Sequence, residues 1–343
     1  MLIADRLRDP FAEARTFADR GRACETHAPA TAIGWYDRAL AVLSGGWSEL
    51  VVDVLRWKGT AHRECGDTAE ADRLYERSAE IAKEIRYRKG EAHAANCRAI
   101  IAQRRGDVLT AERLFQEANE LAREAGDTEL RAMVQRNLGV LASSRGVPEQ
   151  ALTHYEESLR SAQAMNDHEG MSRALNNIGR LYLDHGRKED AEEILDGVVR
   201  VSRERGDAVL ECTALLNLTE VRLRSGRSDA AEVVCTEALA IADRRADRLR
   251  RAESLRLLAE IWGRRGESER CAAALDEALI LTSGTEDVLL AAEIWLQQAK
   301  LGRFSGTPTM ARTAFQRARD LFRQAGAWRQ VTHVDAALAE LTA

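Results

Sequence analysis

Glycine recurs in this sequence at a strict interval, because seven glycines in succession stand 40 residues apart. They are Gly66, Gly106, Gly146, Gly186, Gly226, Gly266 and Gly306. A small residue follows each of them after five positions and a larger, mostly apolar residue four positions later, as at Ala151 and Tyr155. Residues three or four positions apart lie on the same face of a helix. The interval therefore predicts the same amphipathic helix in every unit.

The other half of each unit repeats as well. A mostly small residue, such as Gly139, stands 33 positions after each glycine. Between the two halves, pairs such as Gly126-Asp127 supply a left-handed helix terminator and an N-capping carboxylate. Each unit is thus predicted to be helix, tight turn, helix, tight turn. Such units bury their apolar faces by stacking on their neighbours, which predicts an all-α solenoid.

Several residues of these units match a known motif with a leucine-glycine pair, a tyrosine, an alanine, an aromatic and a small residue. The matching residues are Leu138-Gly139, Ile178-Gly179, Tyr182, Ala151, Tyr155 and Ser158. Over roughly residues 48–326 the sequence resembles the tetratricopeptide repeats. Its 40-residue unit is similar to the longer variants in kinesin light chain and in the Rap-type peptide sensors of bacteria. The resemblance implies a right-handed superhelix of about eight helix pairs plus a capping helix.

The chain shows no linker that would divide it. Only 4 prolines occur, and no stretch is rich in proline, glycine and serine, so one continuous solenoid is favoured. We expect residues 1–47 to form a divergent N-terminal helical repeat or cap. Residues 48–326 are expected to form seven repeats of 40 residues, and residues 327–343 a C-terminal capping helix.

The resemblance implies that the first helix of each unit lines a concave groove. Asn137, Asn177 and Asn217 stand in register there, two positions before the small residue. Side-chain amides donate and accept at once, so a ladder of them can hold the backbone of an extended peptide. The alternative is that each asparagine satisfies the backbone of a neighbouring helix.

Charged residues flank these asparagines. Arginines come first and glutamates such as Glu220, Glu253, Glu260 and Glu293 follow, which predicts a groove that is positive in its middle and negative towards the C-terminus. The alternative is scattered surface charge. The candidate groove residues are Asn137, Asn176, Asn177, Asn217, Arg136, Arg173, Arg180 and Glu220.

Enzyme signatures are absent from the sequence. It has no phosphate-binding glycine loop, dinucleotide fingerprint, nucleophile elbow or zinc-protease motif. His154, His168 and His185 lack the spacing of metal ligands and are interpreted as capping and surface residues. The arginines between positions 244 and 251 alternate with acidic residues and are interpreted as an internally paired turn. We expect no catalytic residue, no cofactor and no metal.

Net charge, hydropathy and cysteine spacing limit the kinds of partner and the compartment that we expect for this protein. A net charge of −5 disfavours a nucleic-acid binder, and no stretch is apolar enough to span a membrane. The 6 cysteines lie far apart, which favours free thiols in a reducing cytoplasm. The expected partner is therefore a protein or peptide ligand, with no nucleic acid and no membrane.

The function favoured by the sequence is a non-catalytic adaptor that binds an extended peptide or protein segment in its groove. One alternative is a Rap-like peptide-sensing regulator, whose superhelix changes pitch on binding; residues 1–47 are short for the effector module it would need. A second alternative is an enzyme whose site is assembled from residues of different repeats.

Overall fold

A computed structural model describes residues 9–25, 28–43, 46–283, 287–325 and 327–341, which form 17 α-helices and no strand. The chain divides into two compact units, Met1–Asn166 and Asp167–Ala343. Unit 1 contains α1 (Pro10–Cys24), α2 (Pro29–Val42), α3 (Glu49–Glu64), α4 (Thr68–Glu84), α5 (Arg88–Arg104), α6 (Val108–Glu124), α7 (Thr128–Ser144) and α8 (Pro148–Ala164). Unit 2 contains α9 (His168–Asp184), α10 (Lys188–Arg205), α11 (Ala208–Arg224), α12 (Ser228–Arg244), α13 (Arg248–Arg264), α14 (Ser268–Thr282), α15 (Val288–Phe304), α16 (Pro308–Gln324) and α17 (Trp328–Glu340).

Within each unit the helices form two layers. Odd-numbered helices of successive repeats contact each other, as α3 and α5 do in unit 1 and α11 and α13 in unit 2. Within the described part of the chain, no two even-numbered helices of successive repeats pack comparably. The odd-numbered helices therefore form the inner layer, and we call their exposed surface the inner face of each unit. The predicted all-α solenoid of helix pairs is confirmed.

The turns have the chemistry that the sequence indicates. Gly126 has a φ of +67°, in the left-handed region that favours glycine. The next residue, Asp127, caps α7 by accepting a hydrogen bond from the backbone N–H of Leu130 at 2.9 Å. The tight turn thus fixes where one helix ends and the next begins.

The small position of the first helix is set by a close contact with the second helix. A Cβ at Gly139 on α7 would lie 2.4 Å from the ring of Tyr155 on α8, and Tyr155 is buried. Gly21 on α1 meets Tyr36 on α2 in the same way, at 2.4 Å. The N-terminal helix pair therefore packs as the later pairs do. The assignment of residues 1–47 as a divergent repeat, and of 327–343 as a cap of one continuous solenoid, stays a prediction.

Replacing Gly139 with alanine is expected to lower the free energy of unfolding by about 1–3 kcal/mol, because the buried Tyr155 ring cannot move away from the added methyl group. Gly197 is the matched control, since it lies inside α10 and a Cβ added there would have no other atom within 4 Å. Gly197→Ala is expected to stabilise by up to about 1 kcal/mol through helix propensity. Urea unfolding measures both changes, and equal effects would contradict the packing argument.

Candidate peptide-binding surface

The asparagines on the inner faces are paired across repeats. Asn137 on α7 donates its Nδ2 to the Oδ1 of Asn96 on α5 at 3.0 Å. In unit 2, Asn217 on α11 donates to the Oδ1 of Asn176 on α9, also at 3.0 Å. Asn96 is only 3% exposed, and Asn176 is buried as well. Each pair joins the first helices of two successive repeats.

Asn177 differs from these pairs. Its side chain is partly buried on α9, and within the described ranges it makes no hydrogen bond to another residue. An amide has two donors and an acceptor, so Asn177 offers its full hydrogen-bonding capacity. Among the three asparagines predicted in register, it is the one whose amide is not committed to a neighbouring helix.

The charged residues of unit 2 form a ladder across four first helices. Glu220 on α11 lies 3.1 Å from Arg180 on α9 and 3.2 Å from Arg256 on α13. Arg256 also lies 3.3 Å from the carboxylate of Glu293 on α15. We call Arg180, Glu220, Arg256 and Glu293 the ion-pair ladder. Its charges alternate in sign from one repeat to the next.

The predicted separation of charge is therefore wrong for unit 2. Stacked first helices bring residues of successive repeats into contact, so Arg180 and Glu220 pair with each other. The other predicted arginines lie elsewhere: Arg173 pairs with Glu169 of its own helix at 2.5 Å, and Arg136 lies partly buried on α7 of unit 1. Sequence reasoning missed Arg256, which interrupts the predicted negative end.

Burial and the neighbouring guanidinium groups act in opposite directions on the carboxyl groups of the ladder. Burial alone would raise the pKa of Glu220, but Arg180, Arg256 and Arg224 together hold it below its usual value. Burial raises the pKa of Glu293, and Arg256 offsets only part of that rise. The side chain of Arg256 is 8% exposed, so the ladder has a buried cation at its centre.

A cleft of about 240 Å³ opens on the inner face of unit 2 beside the ladder. Besides the four ladder residues, its lining includes the polar side chains of Glu260, Gln297 and Lys300. Gln297 donates to Glu260 at 3.0 Å, which joins α15 to α13. The cleft can therefore supply donors, acceptors and both signs of charge to a chain lying across the first helices.

A partly buried histidine lies among the first helices of unit 1. His93 on α5 lies 3.7 Å from the carboxylate of Asp127, which Lys89 approaches to 3.0 Å. Burial and the guanidinium of Arg56 lower the pKa of His93 to about 3, although Asp127 acts in the opposite direction. His93 is therefore neutral in the folded protein at neutral pH.

This neutral histidine predicts a pH dependence. The unfolded chain protonates His93 near pH 6.5 while the folded chain does not. The unfolded state then binds more protons, so this residue lowers the free energy of unfolding by about 1.4 kcal/mol per pH unit as the pH falls from 6 to 4. His93→Gln is expected to remove that part of the slope in urea unfolding at several pH values. His333→Gln, an exposed histidine on α17, is the control. An unchanged slope in His93→Gln would contradict the prediction.

Some of the other histidines and arginines singled out in the sequence have partners in the described part of the chain. His154 contacts the Oε1 of Gln135 at 2.7 Å, and His185 contacts the carbonyl of Leu181 at 2.9 Å. Arg251 pairs with Asp243 and Glu277, which confirms an internally paired turn at that residue. In the described part of the chain, no group of three or more histidine, cysteine, aspartate and glutamate residues could hold a metal ion. None of the described helices combines the length and apolarity needed to cross a bilayer.

The repeats match a known family. Residues 90–164 and 148–204 match the model of the tetratricopeptide repeat. The resemblance seen in the sequence is therefore confirmed, and this part of the chain, which includes Asn96, Asn137 and Asn176, is an array of tetratricopeptide repeats. A comparison with curated proteins gives no match.

Solved structures are similar over most of the chain. A Rap protein in complex with Competence and Sporulation Factor is 13% identical, with a TM-score of 0.65, covering 97% of this chain and 100% of that chain. NprR in complex with its cognate peptide NprX is 11% identical, with a TM-score of 0.63, covering 96% of this chain and 99% of that chain. A tetratricopeptide repeat protein from Parabacteroides merdae is 16% identical, with a TM-score of 0.55, covering 83% and 98%. At these identities the likeness shows a shared fold.

Proposed function

We propose that this protein is a non-catalytic adaptor that binds an extended peptide or protein segment on the inner face of unit 2. The observation that carries the proposal is the cleft of about 240 Å³ across the first helices, which offers donors, acceptors and both signs of charge. An extended peptide has unpaired backbone groups and side chains on alternate sides, and such a surface can satisfy both. The NprR structure of the same fold holds its cognate peptide, which supports this use of the fold.

The ladder supports binding without chemistry. Its charges are paired with each other, so they position the first helices and leave the cleft close to electrical balance. A peptide that binds there replaces water on groups that are already held in place, which limits the entropy lost on binding. We propose a cytoplasmic location on the same grounds as in the sequence, namely free thiols and a mixed, slightly acidic surface.

A charge reversal in the cleft tests the proposal. Short random peptides are passed over the immobilised protein, and the retained peptides are measured with Glu260→Arg and Glu269→Arg variants. Glu260 lines the cleft, whereas Glu269 is exposed on the outer helix α14. Both variants change the net charge equally. We expect the first to weaken binding at least about tenfold and the second to leave it unchanged. Retention of no peptide by the unaltered protein would refute the function, and equal effects of the two variants would refute the site.

The second candidate is a peptide-sensing regulator, favoured by the similarity to Rap and NprR structures. In such a protein a bound peptide changes the arrangement of the repeats and so frees or captures a second partner. Small-angle scattering with and without a selected peptide distinguishes the two candidates. A change in the radius of gyration on saturation supports the regulator, and an unchanged profile supports the adaptor. A short secreted peptide encoded beside this gene would also support the regulator.

A further inference from the structure

Beyond the ion-pair ladder, unit 2 has a second cavity. Its volume is about 610 Å³, and it lies between α15 and α17. In the described part of the chain, these two helices lack the direct packing that joins α13 to α15. The volume falls in the usual range of pockets that bind small ligands. We call this space the end cavity.

The end cavity is lined by four apolar residues and by four charged or polar ones: Phe304, Phe315, Ala336 and Ala337, and Lys300, Arg303, His333 and Glu340. Phe304, at the end of α15, is 74% exposed and lines it, and the buried Phe315 of α16 lies behind. On the opposite side α17 presents Ala336 and Ala337, whose small side chains leave the space open. A phenylalanine exposed to this extent beside a cavity leaves apolar surface in water, and burying that surface under a ligand is favourable.

One cation stands between the end cavity and the cleft. Lys300 on α15 lines both of them. Among the residues that the structure describes, no carboxylate lies within 4 Å of its ammonium group, although Arg303 next to it pairs with Glu340 at 2.9 Å. Lys300 is thus the cleft cation whose charge is not balanced by a direct ion pair.

We propose that the end cavity binds the C-terminal residue of the peptide, with an apolar or aromatic side chain against Phe304 and the two alanines and the α-carboxylate on Lys300. The preceding residues lie in the cleft, which Lys300 joins to the cavity. The inference rests on the proposed function and names its ligand class, a peptide with a free carboxylate and an apolar last residue. Charge complementarity selects the carboxylate, and the apolar residues select the side chain.

The test uses pools of acetylated short peptides, randomised except at the last residue, each prepared as a free acid and as a C-terminal amide. Retention of each pool on the immobilised full chain is measured. We expect acids ending in phenylalanine, leucine or methionine to be retained about tenfold better than acids ending in glycine or aspartate. Amidation of the same pools is expected to reduce retention about tenfold, since the carboxylate loses its charge-assisted contact with Lys300.

Two pairs of variants locate the effect. Phe304→Ala should remove the preference for an apolar last residue, and Lys300→Gln should remove the difference between acid and amide. Because Phe304 and Lys300 are exposed, both variants are expected to fold. The matched controls are Ile280→Ala, an exposed apolar residue on α14, and Arg317→Gln, an exposed cation on α16, neither of which lines the cavity. Both controls should bind as the unaltered protein does.

The outcomes separate the two proposals. Retained peptides with no preference at the last residue, or acids and amides retained equally, would overturn the end-cavity assignment and leave the peptide-binding function standing. Retention of no pool would overturn both. Concentration-dependent self-association in sedimentation that Phe304→Ala abolishes would show that a second copy of the chain occupies the end cavity, and would also overturn the assignment.

Discussion

Replacing Arg256 with alanine is expected to lower the free energy of unfolding by about 2–4 kcal/mol, measured by urea unfolding at pH 7. The side chain of Arg256 is 8% exposed and lies between the carboxylates of Glu220 and Glu293. Its removal leaves like charges facing each other in the cleft without the cation between them. We expect a smaller loss of unfolding free energy than for a fully buried ion pair, because the side chain of Glu293 is 36% exposed.

Arg203 is the matched control for this variant. It also pairs with two carboxylates, those of Glu211 and Glu237, but its side chain is 56% exposed. Exposed ion pairs contribute about 0–1 kcal/mol, so Arg203→Ala should have a much smaller effect. Equal losses in the two variants would mean that the burial of Arg256 contributes nothing beyond a surface ion pair.

The Arg256→Ala variant should also change its pH dependence in a defined direction. Without the guanidinium, the pKa values of Glu220 and Glu293 rise in the folded state, because burial then acts with less opposition. The folded variant binds more protons than the unfolded chain, so its stability relative to the unaltered protein increases as the pH falls from 8 towards 5. A deficit that is constant over this range would show that lost packing, rather than charge, causes the loss.

The 40-residue register predicts the helices well because each repeat carries its own local signals for helix ends and packing. Gly126 and Asp127 end one helix and begin the next, and they do so whatever the neighbouring repeats contain. The contact of Gly139 with Tyr155 also lies within one helix pair. These features depend on residues close in sequence, so the pattern in one dimension is sufficient to place them.

The contacts between successive repeats are harder to derive from the sequence. Asn137 pairs with Asn96 rather than with a residue of its own register, because the relative rotation of two first helices shifts the contact by one position. A spacing of 41 residues, repeated in Asn176 and Asn217, is the signal that would have indicated it. Arg256 stands one position before the register that the asparagines follow, in line with Arg136 and Asn176, and that alignment is the signal that would have indicated it.

The end cavity had no signal of its own in the sequence. The pattern of α17 indicates an amphipathic capping helix, and Ala336 and Ala337 carry no chemistry that would attract notice. The space arises because α17 presents small residues towards α15, while Phe304 remains exposed there. A cavity is a property of packing between elements, and hydrophobic periodicity within one element does not report it.

Changing Asn177 and Asn217 of unit 2 together to alanine is expected to weaken the binding of a library-selected peptide by roughly five- to a hundredfold. The estimate follows from neutral hydrogen bonds worth about 0.5–1.5 kcal/mol at each of the sites. Fluorescence anisotropy with the labelled peptide measures it in urea-free buffer at neutral pH, after circular dichroism has shown that the variant is folded.

The single variants divide this effect between binding and stability. Asn137→Ala and Asn217→Ala leave the buried Oδ1 atoms of Asn96 and Asn176 without their donors, so each should also lower the free energy of unfolding by about 1–3 kcal/mol. Asn177→Ala removes an amide that has no partner among the described residues, so it should weaken binding with little change in stability. If Asn177→Ala binds the peptide normally, and the other two variants only melt earlier, the asparagines tie the first helices together and do not hold a ligand.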